Sequence, residues 1–127
     1  MKYKGYLAFD FDGVIASYNR PFIIDKLGKP QKSVIETIRY FYDQGYYILI
    51  FTGRLETVKF TKWLEKNNVP YHGVNVQPSN MAGTNNDKPF YNVIIDDKAV
   101  NFHWENNHKS KDELISEIER KLEWAKE

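Results

Sequence analysis

Apolar residues in this chain fall into short unbroken blocks that alternate with stretches of helical period. Gly5 to Phe11 is one such block, stopped by Asp10, Asp12 and Gly13, and it predicts a buried strand with its exit turn. Tyr46 to Thr52 is continuously apolar and predicts a second buried strand, with Gly53 directly behind it. Val74 to Gln77 reads as a weak third strand, and Val93 to Asp97 as a further buried strand that ends in acid. Between the first two strands, Val34, Ile35, Ile38, Phe41 and Tyr42 recur at helical spacing. Ser33 to Glu36 has the form of a capping box at the helix start, and Gly45 closes it. A second helix is expected from about Leu55 to Asn68, with Phe60, Trp63 and Leu64 on one face and Val69-Pro70 ending it. A second capping box, Ser110 to Glu113, opens a last helix whose Leu114, Ile115, Ile118 and Leu122 are expected inward. Val14 to Pro30, broken by Pro21, Gly28 and Pro30, reads as a loop or small hairpin, and Pro78 to Pro89 as a loop.

Strands that are hydrophobic throughout and alternate with helices belong to parallel sheets covered on both faces. The expected architecture is a single α/β domain over residues 1–127, a three-layer, doubly wound, Rossmann-like and mostly parallel sheet. In such sheets the ligand sits at the carboxyl ends of the strands. Here those ends carry Asp10 and Asp12, then Thr52-Gly53-Arg54, then Asp96 and Asp97, with Lys88 in the loop before the last strand. Singly, each piece has an ordinary structural explanation: Asp-Gly is turn chemistry, Thr-Gly precedes a helix and a lysine is solvated. Their convergence on one edge points to chemistry.

Crowded carboxylates repel unless a cation neutralises them. The ligand set is all hard oxygen, and the chain has no Cys, so the expected metal is Mg²⁺. Mg²⁺ is characteristically bound together with substrate phosphate oxygens, which makes a phosphate ester the natural substrate. The Thr52 hydroxyl and the Gly53 N–H at a helix entrance are suited to hold a phosphate oxygen, and Lys88 adds positive charge. A strand-end Asp beside metal and lysine is a competent nucleophile, and a carboxylate two residues on can exchange protons with leaving group and water.

Asp10-Phe-Asp-Gly-Val14, Thr52-Gly-Arg54, Lys88-Pro89 and Ile95-Asp-Asp97 resemble, in order and spacing, the four motifs of the haloacid dehalogenase-like superfamily. The likeness spans about residues 5 to 102. It implies that Asp10 attacks phosphorus and that Asp12 acts first as general acid, then as base. It also implies that Mg²⁺ is held by Asp10, the backbone carbonyl of Asp12 and Asp96, with Asp97 acting at the metal or through its waters. The family's threonine and lysine roles fall on Thr52 and Lys88. An Asp at position 12 resembles the phosphatase branch, because the dehalogenases lack it and the related ion-pumping ATPases have Thr there. The intervals from Asp10 to Thr52 and from Thr52 to Asp96 are filled by core elements and leave no room for a cap domain. The chain therefore resembles the capless subgroup, whose open sites take large substrates or are closed by a neighbouring subunit. Tyr18, Arg20 and Phe22 then become candidates for substrate contact or for packing on the domain's own edge, and Arg54 for substrate binding or local pairing.

Composition narrows the alternatives. Lys plus Arg number 18 against 17 acids, and the net charge of +1 argues against tight nucleic-acid binding. The longest apolar run, Tyr46 to Phe51, is far short of the ~20 residues of a membrane span, and the acids at Asp10 and Asp12 exclude a signal peptide. Zero cysteines remove disulfides and thiol catalysis and fit a cytoplasmic protein. His72, His103 and His108 share no spacing with the motifs and read as bystanders. A phosphoryl-accepting receiver domain uses similar residues, but as that family is known its acidic pair follows the first strand, whereas here the pair comes last. The expectation is a phosphatase of a small phosphorylated metabolite. A phosphatase of nucleic-acid ends or phosphoproteins and a non-catalytic phosphate-binding module are the alternatives.

Overall fold

A computed structural model describes residues 2–18, 23, 26–76 and 89–125. The elements run β1 (Tyr6–Asp10), α1 (Lys32–Asp43), β2 (Tyr47–Phe51), α2 (Val58–Lys66), β3 (Gly73–Val74), β4 (Val93–Ile95) and α3 (Lys111–Ala125). The chain divides into two compact units, Met1–Asp96 and Asp97–Glu127.

The first unit is built on a four-stranded, all-parallel sheet of order β3-β2-β1-β4, the α/β arrangement expected of a Rossmann-like fold. β1 pairs with β2 over its full length, from Tyr6 with Tyr47 to Asp10 with Phe51, and with β4 from Leu7 with Val93 to Phe9 with Ile95. The strand order reverses at β1, so the crevice at the carboxyl ends of β1 and β4 is a topological switch point. Leu7, Phe9, Ile48 and Ile50 face the main core, together with Ile35 and Ile38 of α1 and Phe60 and Leu64 of α2. Ala8, Tyr47 and Leu49 form a second cluster with Tyr3, Tyr6, Tyr91 and Ile94. Both helices of this unit thus contribute to one core, and β1 and β2 are apolar on both faces, as the unbroken blocks in the sequence require.

The first helix starts without the expected capping box. Gln31 is the cap, extended at φ −92°, and Ser33 lies inside the helix with its hydroxyl on the Gln31 side chain, 3.3 Å away. The Gln31 N–H donates to the Ile15 carbonyl at 2.8 Å, which fixes that residue as extended and lets the helix begin at Lys32. The second helix starts at Val58 rather than near Leu55. Thr57 holds it there, accepting the Phe60 N–H on its hydroxyl at 3.2 Å. The stretch Val14–Pro30 has hairpin character at its ends, where Ser17 N–H donates to the Lys29 carbonyl at 2.8 Å and Ala16 bridges Pro30. Val14, Ile15 and Ala16, expected in a loop, are core residues. Gln77 and the loop after it, through Lys88, lie outside the described residues.

His72 is no bystander to the fold. Its Nδ1 accepts the Ile48 N–H at 2.9 Å, and its ring stacks on Tyr42 and Tyr47 at 4.7 and 5.0 Å. Only the neutral ring can accept that bond, and burial lowers the His72 pKa from its ordinary 6.5. The unfolded chain therefore binds the proton more readily than the folded one. This contribution to stability is complete above pH 6.5 and is lost as the pH falls through the lowered value. Urea melts should show stability falling with acidification in that window. In His72→Asn, whose amide oxygen can keep the acceptor role, that part of the slope should vanish; an unchanged slope would contradict the assignment.

In the second unit the capping box forms as read. Ser110 N–H donates to Glu113 Oε1 at 3.0 Å and Glu113 N–H to Ser110 Oγ at 3.2 Å, and these bonds hold the Glu113 carboxyl below the usual glutamate range. The inward face predicted for α3 is not realised: Leu114 is half-buried, but Ile115, Ile118 and Leu122 are exposed. A unit this short has too little chain to bury a helix face by itself. No helix among the described residues is long and apolar enough to cross a membrane.

Candidate functional site

Asp10 ends β1 and Asp96 follows β4, and the pairing of Phe9 with Ile95 sets these two acids side by side. Asp10, Asp96 and Asp97 each offer a carboxylate oxygen, and the three atoms lie within 4.8 Å of one another. Three carboxylates at that separation form a hard-oxygen donor set that could hold a metal ion. Within the second unit, the Asp97 backbone carbonyl accepts a bond from Lys121 Nζ at 2.7 Å.

The turn after β1 is tight. Ile15 and Ala16 N–H both donate to the Phe11 carbonyl at 3.0 Å, and Gly13 N–H to Ala16 at 2.7 Å. Gly13 sits at φ +89°, in the left-handed region that a side chain disfavours. Phe11, between the two acids, is fully buried and packs on Phe60 and Trp63 at 4.8 and 5.0 Å. This anchor fixes the stretch that carries Asp10 and Asp12.

Asp12 does not join the carboxylate trio through its side chain. Arg54 grips it as a fork, Nε to Oδ2 at 2.8 Å and Nη2 to Oδ1 at 3.0 Å. The guanidinium also donates to the carbonyls of Ile23 and Lys26 at 3.3 and 3.2 Å, and Arg54 is only 4% exposed. Of the two roles open to Arg54 in the sequence, local pairing is the one observed. Its reach to Ile23 and Lys26 stitches the loop before α1 to the turn after β1.

Thr52 is buried and held on three sides. Its N–H donates to Asn75 Oδ1 at 2.9 Å, its carbonyl accepts from Asn75 Nδ2 at 2.7 Å, and its hydroxyl accepts the Arg54 N–H at 3.0 Å. The hydroxyl keeps its own proton to donate, which suits a phosphate oxygen. Gly53 is exposed, and a Cβ built on it would meet no atom within 4 Å, so the space above it is open. Because α2 begins only at Val58, Gly53 is not at the helix entrance, and the help expected from the helix's positive end does not reach it.

Asn75 is the residue that sequence reasoning missed. Its backbone is left-handed at φ +57°, a conformation Asn tolerates better than most residues, and an Asn just past a strand was the available signal. Asn75→Ala should cost about 1–3 kcal/mol, because it strips partners from two buried backbone groups. Asn75→Gly should cost less, since it relieves the left-handed strain. Chemical denaturation of both variants checks this, and equal losses would contradict a role for the backbone conformation.

Tyr18 is half-buried at the head of the loop. Lys88, Arg20 and Phe22 lie outside the described residues, so the third phosphate-site group and two substrate-contact candidates have no place in this geometry.

No family model matches the chain, and no curated protein does. Two solved structures are similar. One is a conserved protein from Bacteroides thetaiotaomicron, with 18% identity, a TM-score of 0.58 and coverage of 93% of this chain and 91% of that one. The other is a crystallographic target from Vibrio cholerae, with 26% identity, a TM-score of 0.48 and coverage of 91% and 98%. The first similarity supports the α/β fold with its parallel sheet and carries no activity with it.

Proposed function

We propose that this protein is a Mg²⁺-dependent phosphomonoester hydrolase of the haloacid dehalogenase-like, capless type, working on a small phosphorylated metabolite in the cytoplasm. In this reading the sheet is doubly wound and three-layered. The observation that carries the proposal is the carboxylate trio of Asp10, Asp96 and Asp97 at the switch point. The secured hydroxyl of Thr52, directly behind β2, the strand paired with β1, supports it.

Asp10, Asp96 and Asp97, with the Asp12 backbone carbonyl, would hold Mg²⁺, which supplies positive charge against the carboxylates and the phosphoryl oxygens. An Asp10 carboxylate oxygen attacks phosphorus, and the bond from phosphorus to the leaving oxygen breaks. Asp12 gives its proton to that oxygen. Water then attacks the phosphorus of the aspartyl-phosphate and passes a proton to Asp12, releasing orthophosphate and restoring Asp10. The Arg54 fork binds the carboxylate form of Asp12, the form that accepts the proton from water. In this reading Arg54 is a positioning residue for the second step, in which Asp12 accepts the proton.

A cation held by the trio binds the folded chain and not the unfolded one, so Mg²⁺ should raise the melting temperature. At a hundredfold excess over Kd the gain is about 2.7 kcal/mol. Asp96→Ala should blunt the rise. A wild-type melt indifferent to Mg²⁺ would remove the metal from the proposal.

A further inference from the structure

α2 divides its charges between two sides. Glu65, with Glu56 from the preceding turn, acts on the Tyr71 hydroxyl, whose pKa burial raises and these acids raise further. Lys59, Lys62 and Lys66 follow at the spacing of a single helix face and line a hollow of about 360 Å³ together with Lys26, Leu27 and Trp63. Among the described residues no carboxylate lines it, and none of Lys59, Lys62 or Lys66 pairs with an acid. Like charges three and four residues apart destabilise a helix by a few tenths of a kcal/mol per pair. The net charge of +1 conceals this concentration, because acids elsewhere in the chain balance it.

The apolar part of the hollow is fixed. The Trp63 indole N–H donates to the Gly28 carbonyl at 3.0 Å, and its ring packs edge-on against Phe11 at 5.0 Å. Lys59 and Lys66 are seven residues apart on the helix, so the ammonium row is rooted over about 10 Å. A single phosphate cannot engage a row of that length, whereas two or three linked phosphates can. Lysine is a strongly hydrated point charge on a flexible stem, suited to phosphate oxygens and not to forked recognition of one planar group.

We propose that the hollow beside α2, walled by Lys26, Lys59, Lys62 and Lys66 over Trp63, binds a linked-phosphate anion. This site is separate from the carboxylate trio and needs neither metal nor turnover. It can therefore be tested whether or not the phosphatase reading stands.

The experiment is calorimetric titration in EDTA with two probes, inorganic tripolyphosphate and a short single-stranded oligothymidylate. Wild type is compared with Lys59→Gln/Lys62→Gln/Lys66→Gln, whose thermal melt is checked against wild type. The triple variant should bind at least tenfold more weakly. Three neutralised phosphates should give the wild type a log–log salt slope of about −2 on the oligonucleotide. In a nitrogen–proton correlation spectrum, tripolyphosphate should move the Trp63 indole resonance and leave those of Trp104 and Trp124 in place. Tighter binding of the oligothymidylate assigns the hollow to a nucleic-acid strand, and tighter binding of tripolyphosphate to a small oligophosphate. Equal affinity in wild type and variant, absence of binding, or an unmoved Trp63 resonance would overturn the proposal.

Discussion

Asp10→Asn should lose phosphatase turnover by roughly 10⁴-fold or more, the scale seen when a covalent nucleophile is removed. The exchange is nearly isosteric, but an amide oxygen is a poor nucleophile and forms no stable phosphoryl ester. The fold should survive, because Asp10 is only half-buried at the end of a strand that is fully paired with β2. Uncatalysed monoester hydrolysis is so slow, with enzymatic accelerations up to ~10²¹-fold, that a trace of contaminating phosphatase can imitate activity. The variant purified in parallel is therefore the control as well as the test. Comparable rates in the two preparations would end the assignment of Asp10.

The second large effect is on stability and falls on Asp12 and Arg54. The Arg54 side chain is 2% exposed and that of Asp12 18%, so this pair lies in the regime where removing one partner strands a buried charge. Arg54→Met should cost about 3–5 kcal/mol, and Asp12→Ala a similar amount. Asp12→Asn should cost less, since its amide oxygen still accepts one of the two bonds. Arg54→Met also abandons the Ile23 and Lys26 carbonyls, so it should loosen the loop before α1 as well as the turn after β1. The variant carrying both Asp12→Ala and Arg54→Met should be more stable than the sum of the single losses implies, because neither charge is left alone. Urea denaturation of the four proteins measures the coupling, and strictly additive losses would contradict a buried pair. If Arg54 positions Asp12 for the second step, Arg54→Lys, which keeps the charge but loses the fork, should lower kcat more than it raises KM. A change confined to KM would contradict that role.

The sequence was informative where a physical constraint is local. Unbroken apolar blocks revealed β1 and β2 because both faces of those strands are covered, and the box from Ser110 to Glu113 formed because its partners lie three residues apart. Similar local chemistry misled at Ser33. A distant bond, Gln31 N–H to Ile15, decided where α1 begins, and no short window contains both residues. Thr57 took the cap of α2 from a site near Leu55 by the same kind of competition, won by a hydroxyl that reaches Phe60. At the candidate site the strand-end acids were visible because sheet topology gathers such ends. The Arg54 fork and the Asn75 bracket were not, since each joins residues far apart in sequence through side-chain geometry. The charge face of α2 was legible in its spacing, yet a net charge of +1 hid it.

The most direct test of the central claim is orthophosphate release from a panel of phosphomonoesters, with and without Mg²⁺, by wild type and Asp10→Asn. Release should require Mg²⁺, favour some members of the panel and disappear in the variant. Release that is independent of Mg²⁺, or that persists unchanged in Asp10→Asn, would contradict the claim.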